Sequence, residues 1–267
     1  MNASDLRKAI EVSEFSVCYQ PRFSLETGAP RAAEALVRWG ERRPGVFIPE
    51  MERNGNIRAV TMFVVQTVCA HIHRIQENLG CCPRISLNIS PVLFCDKDFI
   101  ANLRSIIAEQ GIPPSMIELE ITESAVAHDF LSVVKSAKIV REDGHDLALD
   151  DFGTGFSGLR YLDMIPASII KLDRHFVGGL GKRKTCDVIV ASVAHLASET
   201  GMITVAEGVE NRAQLKAVTD LGYDEVQGLL MAKPMPFLEF VAFLSKHLPQ
   251  KRAATTPQLH NCALVSC

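Results

Sequence analysis

The 267-residue chain lacks the marks of several common protein classes. It has no CxxC pair, and Cys81 and Cys82 stand side by side in poor geometry for a simple zinc site. Its eight cysteines are scattered, most of them among apolar neighbours where a reduced thiol behaves as a small hydrophobe. They are read as cytosolic thiols, with Cys262 and Cys267 in a polar tail. No sign of charge dominates: 28 Lys and Arg against 31 Asp and Glu leave −3, mixed along the chain. That excludes a basic nucleic-acid stripe and a polybasic membrane patch. The opening MNASDLRKAIEVSEF has no apolar core of signal-peptide type. The most apolar long stretch, 60–70, is broken by Gln66 and falls short of the roughly 18 residues a membrane span needs. A cytoplasmic protein is expected, with neither a nucleic-acid polymer nor a membrane as partner.

What is present is a chain able to fill a large core, with 47% hydrophobic residues. No Gly/Ser or Pro linker divides it before about residue 248, so 1–248 is read as one domain and 249–267 as a loose tail. Short apolar runs fall at 16–23, 31–37, 84–89, 116–121, 146–149, 168–172, 203–206 and 225–227. Helical patterns alternate with them. Val60, Phe63, Val64, Val68, Ile72, Ile75 and Leu79 recur at the three- and four-residue steps of one buried helical face. Similar faces fall at 99–110, 129–142, 186–200 and 211–221, and Asn211 is suited to cap the last. Strands alternating with helices predict an α/β fold, a TIM-like (β/α)8 barrel. An open doubly wound sheet is the alternative. The first two runs leave little room for a helix between them and are expected to pair as a hairpin, one barrel strand then running antiparallel.

The ends of these runs carry the chemistry. Asn88 ends SLN, Glu120 ends IELE, Asp150 and Asp151 end LALDD, Lys171 ends SIIK, Glu207 ends ITVAE and Gln227 ends EVQ. Any one of them reads most simply as a helix cap or turn former. Six strand ends in register point to one shared site, because barrel strands converge on a single functional face. Glu34, inside the second run, can reach the same mouth if its strand is oriented differently. Carboxylates converging without cations repel one another by several kcal/mol in a partly desolvated mouth. Oxygen donors without His or Cys suit Mg²⁺ or Mn²⁺. Two such ions about 4 Å apart are the common arrangement for hydrolysing a phosphodiester. Lys171 adds a cation near the attacked phosphate, with its proton affinity expected to fall beside two metals.

The motifs themselves are specific. EALVRW at 34–39 resembles the signature of the bacterial EAL-domain cyclic di-GMP phosphodiesterases. The resemblance continues through YQP at 19–21, FIP at 47–49, LNIS at 87–90, ELEITES at 118–124 and ALDDFGTGFSGLRYL at 148–162. It runs on through KLD at 171–173, VAEGVE at 205–210 and QGLLMAKPMP at 227–236. It implies hydrolysis of cyclic di-GMP to linear pGpG in a homodimer. Glu34, Asn88, Glu120 and Asp150 resemble the ligands of one metal, with Asp150, Asp151 and Glu207 holding a second. Lys171 matches the lysine that orients or activates the hydrolytic water, and Gln227 a glutamine of the same network. Gln20, Leu36, Arg38 and Pro234 match the dinucleotide pocket, Arg38 contacting a phosphate. Glu123 matches the glutamate that holds the loop 151–158, which links site and dimer interface in the family.

Departures from the family pattern are Ala33, Met51 and Ser168, the last where an Asp is common, and none is an implied metal ligand. The competing reading is a catalytically silent cyclic di-GMP receptor or protein-interaction regulator, which a lost ligand would have favoured. Asp151-Phe152-Gly153 also resembles the kinase DFG, but no Gly-rich loop or HRD segment precedes it. His71, His73, His195, Trp39 and Lys182–Lys184 are read as packing or surface residues. The domain starts almost at Met1, so a stand-alone EAL domain is expected, regulated through expression, oligomerisation or a partner.

Overall fold

The hairpin is real: β1 (Phe15–Ser24) and β2 (Pro30–Trp39) pair antiparallel, with Gln20 opposite Glu34 and Phe15 opposite Trp39. Gly28 takes the left-handed conformation (φ +70°) that lets the turn close, its N–H reaching the Ser24 carbonyl at 2.9 Å. From β2 onward every barrel neighbour is parallel: β3 (Arg84–Asn88), β4 (Ile117–Thr122), β5 (Asp146–Phe152), β6 (Ile169–Leu172), β7 (Ile203–Ala206) and β8 (Glu225–Val226). β1 then pairs antiparallel with β8 as well as with β2, and the sheet closes into an eight-stranded barrel. This rules out the open sheet. It also relocates the odd strand. Glu34 sits on β2, which is parallel to β3; the reversed strand is β1, and Glu34 reaches the mouth from an ordinary position. The computed structural model describes residues 14–123, 129–154 and 162–248; the tail after 248, with Cys262 and Cys267, and the second half of the loop 151–158 lie outside them.

Helices cover the barrel. The long apolar face predicted near residue 60 is α2 (Ile57–Leu79, after α1 at Pro44–Arg53), with Val60, Val64, Val68, Ile72 and Ile75 in the core. It stops at Gly80 in the left-handed region, φ +73°. α3 (Pro91–Phe94), α4 (Lys97–Glu109), α5 (Phe130–Glu142), α6 (Arg174–Gly178), α7 (Lys184–Thr200) and α8 (Arg212–Asp220) follow. Asn211 caps α8 in a reciprocal box with Gln214. A two-residue β9 (Met235–Pro236) pairs with β1 and leads into α9 (Phe237–His247), whose Phe237, Phe240 and Leu244 are buried. α1, α3, α6, β9 and α9 go beyond the elements expected from periodicity. α1 is the instructive case: Pro44 opens it and Pro49 lies inside it, so the stretch reads as loop. Burial of Phe47 and Met51 outweighs the proline cost.

Inside the barrel, chemistry is layered. At the floor Arg22, 1% exposed, donates to both oxygens of Glu118 at 2.8 and 2.6 Å and pairs with Glu225. Arg84 pairs with the same Glu118 at 2.9 Å and with Asp146. Ser168, where the family commonly carries an Asp, donates to Asp146 at 2.9 Å. Above lies a small apolar layer of Ala148, Ile169 and Val205. Two residues further along each of those strands come Asp150, Lys171 and Glu207, which the two-residue strand period aims into the same interior.

Candidate active site

Lys171 is the hub. It is fully buried on β6, with Nζ 2.9 Å from Glu120, 2.9 Å from Glu207, 3.0 Å from Asp150 and 3.9 Å from Glu34. A buried ammonium is tolerable only when carboxylates surround it like this. The register explains the convergence. Asn88 lies beside Glu120 across β3 and β4, and Thr122 beside Asp150 across β4 and β5. Glu207 and Gln227 follow β7 and β8 directly and are tied to the preceding strand by Glu207 N–H to the Leu172 carbonyl (3.2 Å) and Gln227 N–H to the Ala206 carbonyl (2.9 Å).

Glu34 is fixed by amides. Asn88 Nδ2 donates to one of its oxygens and Gln227 Nε2 to the other, each at 2.7 Å. Gln227 Nε2 also reaches Gln20 Oε1 at 3.2 Å, and Gln20 Nε2 donates to the Ala232 carbonyl at 3.1 Å. Gln227 needs its neighbour Gly228, since a Cβ there would fall on the Val209 backbone.

Asp150 and Asp151 are consecutive, so a regular strand would send them to opposite faces. Asp151 instead adopts φ +54°, the one positive φ among described non-glycine residues, where the β5–β6 register breaks. The result brings ligand oxygens of Asp150, Asp151 and Glu207 within 4.8 Å of one another. Thr154 secures the turn by bonding the Asp151 carbonyl through N–H (3.2 Å) and hydroxyl (2.8 Å). Glu123 accepts the Gly153 N–H at 3.0 Å.

Five carboxylates against one lysine leave the mouth at −4 by formal charge (Glu34, Glu120, Asp150, Asp151 and Glu207 against Lys171). The strain falls unevenly. Burial, with the charges of Glu34, Asp150 and Glu118, holds the Glu120 carboxyl well above its usual range. Burial and Asp150 push Glu207 up to about 8, against the pull of Lys171. Burial, Asp150 and Asp173 push Asp151 up to about 6. Glu34 goes the other way: Lys171 and the two amide donors outweigh its burial. Lys171 is held firmly protonated, its desolvation overcome by Asp150, Glu120, Glu207 and Glu34. With carboxylates alone around it, its proton affinity therefore rises. Buried Glu120 Oε1 and Gln227 Oε1 accept no hydrogen bond. An excess of hard oxygen donors, two of them without a hydrogen bond, fits a hard metal cation.

A cavity of about 330 Å³ opens from Glu34, Asn88 and Glu120 and runs between β2, α1 and α2. Leu36 and Arg38 line it; Gln20 lies behind Gln227, and neither Gln20 nor Pro234 is in its wall. Sequence reading missed Glu52 and Ser90 in that wall, and the Arg22 network below. Glu52 had a signal, since it lies three residues after the FIP motif and directly after Met51. No helix among the described residues is long and apolar enough to cross a membrane.

The sequence pattern of the EAL domain matches residues 3–234. The chain is 34% identical over 90% of its length to the protein y4lL of Sinorhizobium fredii, covering 29% of that protein. It is 32% identical over 89% of its length to the bifunctional diguanylate cyclase/cyclic di-GMP phosphodiesterase MucR of Pseudomonas aeruginosa, covering 36% of it. It thus spans about a third of these curated relatives. The solved MucR phosphodiesterase in complex with c-di-GMP superposes with TM-score 0.83 at 31% identity, covering 89% of this chain and 98% of that one.

Proposed function

The chain belongs to the EAL-domain family, and on that footing we propose that it is a divalent-metal-dependent phosphodiesterase that opens cyclic di-GMP to linear pGpG. The observation that carries this reading is the set of four carboxylates gathered on buried Lys171, with Asp151 beside two of them, at the end of a nucleotide-sized cavity.

Glu34, Asn88, Glu120 and Asp150 would hold one ion, and Asp150, Asp151 and Glu207 a second. When bound, such ions supply a water of lowered pKa and neutralise charge on the phosphate. The protein's own part is preorganisation. Asn88 and Gln227 fix both oxygens of Glu34. Lys171 fixes Glu120, Asp150 and Glu207 and places a cation where negative charge grows in the transition state. Arg38, at the cavity wall, suits a phosphate oxygen of the substrate. Water oxygen bonds to phosphorus, the bond from phosphorus to a ribose 3′ oxygen breaks, and that oxygen takes up a proton. The product carries a 5′ phosphate and a free 3′ hydroxyl, which is pGpG. Action as a homodimer in the bacterial cytoplasm belongs to the same proposal, and sedimentation equilibrium tests the dimer.

The test is conversion of cyclic di-GMP to pGpG by purified protein with Mg²⁺ or Mn²⁺ and its loss with chelator. Tight binding without turnover in either metal would overturn the enzyme in favour of a silent receptor. Neither binding nor turnover would overturn both.

A further inference from the structure

The cavity continues past the carboxylates into a region walled by Pro44, Ile48, Ile57, Val60, Val64 and Pro91. Such walls accept the flat faces of a purine. One acidic group stands among them. Glu52, on α1, is half-buried and lines the cavity, and among the described residues no Lys, Arg or His pairs with it. It is oriented by a single neighbour: Ser90, at the start of α3, donates its hydroxyl to Glu52 Oε1 at 2.7 Å. Ser90 in turn follows Asn88 by two residues on the strand end that carries it. The acid is thus locked to the same segment as the reaction centre.

A carboxylate accepts hydrogen bonds and donates none. One in an apolar wall, with a hydroxyl on one oxygen and no cation beside it, has acceptor capacity left for a ligand with donors. The Watson–Crick edge of guanine presents two donors side by side, N1–H and the exocyclic amine, which match the two oxygens of one carboxylate. Adenine presents an acceptor, N1, beside its amine, and would set that lone pair against the carboxylate charge. We infer that Glu52, held by Ser90, is the residue that selects guanine over adenine at this end of the site. The inference rests on the proposed cyclic-dinucleotide reading and adds the base specificity to it. A site built to accept from substrate N–H groups rejects an analogue lacking them far more strongly than an apolar slot rejects a change of shape.

The experiment measures kcat/KM with Mn²⁺ for cyclic di-GMP and cyclic di-AMP, and binding of both by calorimetry in chelator, for the full chain and for Glu52→Gln and Ser90→Ala. Gln keeps the size of Glu but offers one acceptor and one donor group, a pattern adenine can meet. Glu52→Gln is expected to weaken cyclic di-GMP binding and lower its kcat/KM by about 10- to 100-fold, the scale of a lost hydrogen bond to a charged group. Values for cyclic di-AMP should hold or rise, so the preference narrows by both readouts. Ser90→Ala should narrow it in the same direction by a smaller factor. A guanine preference in Glu52→Gln within about twofold of the parent, with the parent active on cyclic di-GMP, would overturn the role of Glu52 and leave the phosphodiesterase standing. A parent that neither binds nor cleaves cyclic di-GMP overturns both.

Discussion

Lys171 and Glu120 form a 2.9 Å ion pair in which neither side chain reaches solvent. Glu120 nevertheless keeps a raised affinity for its proton, because burial and three further carboxylates act on it. One lysine is too little positive charge for this mouth, and the first two predictions follow from that shortage.

Lys171→Met removes the cation and leaves the acids. Turnover is expected to fall by about 100- to 10,000-fold, as for loss of a group that stabilises transition-state charge. Thermal melts in chelator should show a lower Tm than the parent, with metal restoring more of it than it adds to the parent. A variant with parental turnover would remove Lys171 from the chemistry.

Stability in chelator should depend on pH in a particular direction. Asp151 (about 6) and Glu207 (about 8) are raised above the values they take in the unfolded chain. The folded state therefore binds more protons between those limits. Their stabilising contribution is present at low pH and lost as pH rises through the folded values. Between pH 6.5 and 8, Tm in chelator should fall. Excess Mg²⁺ or Mn²⁺ should flatten the slope and, at about 100 times its Kd, add about 2.7 kcal/mol. Scanning calorimetry at stepped pH reads both effects.

Gly228→Ala would drive a methyl into the Val209 backbone, which cannot give way as a side chain could. A loss of about 2 kcal/mol or more in urea unfolding is expected. Turnover should fall as well, because the strain displaces Gln227 from Glu34. Unchanged unfolding midpoints would show that the two strand ends are free to part.

Arg22→Met tests the floor. It strips a buried cation from Glu118 and Glu225, leaving Arg84 to face both. Removing one partner of a buried pair costs about 3–5 kcal/mol. Combining it with Glu225→Gln should recover part of that loss, as a coupled pair requires.

Much of the site was legible because a barrel converts a one-dimensional rule into convergence: each parallel strand that ends on a polar residue delivers it to one face. Asn88 ends β3, Glu207 and Gln227 follow β7 and β8 directly, and Glu120, Asp150 and Lys171 lie within two residues of their strand ends, so all six follow it closely. Glu34 does not, since β2 continues five residues beyond it to Trp39. Its position follows from register with Gln20 and Ser86, which depends on pairing across the barrel. The floor was hidden for a similar reason. Arg22, Glu118 and Glu225 sit in different strands and look like ordinary surface charges until closure buries them. α1 stayed unread because its prolines suggest a loop while Phe47 and Met51 decide the outcome by packing.

The reversed first strand has an architectural consequence. Phe15 lies opposite Trp39, so β1 starts where the parallel strands finish. In a uniformly parallel barrel the first strand would start at the far rim, a whole strand length from the chemistry. Here Glu14, whose carboxylate takes the Trp39 indole N–H at 2.9 Å, marks a doorway beside the entrance for substrate.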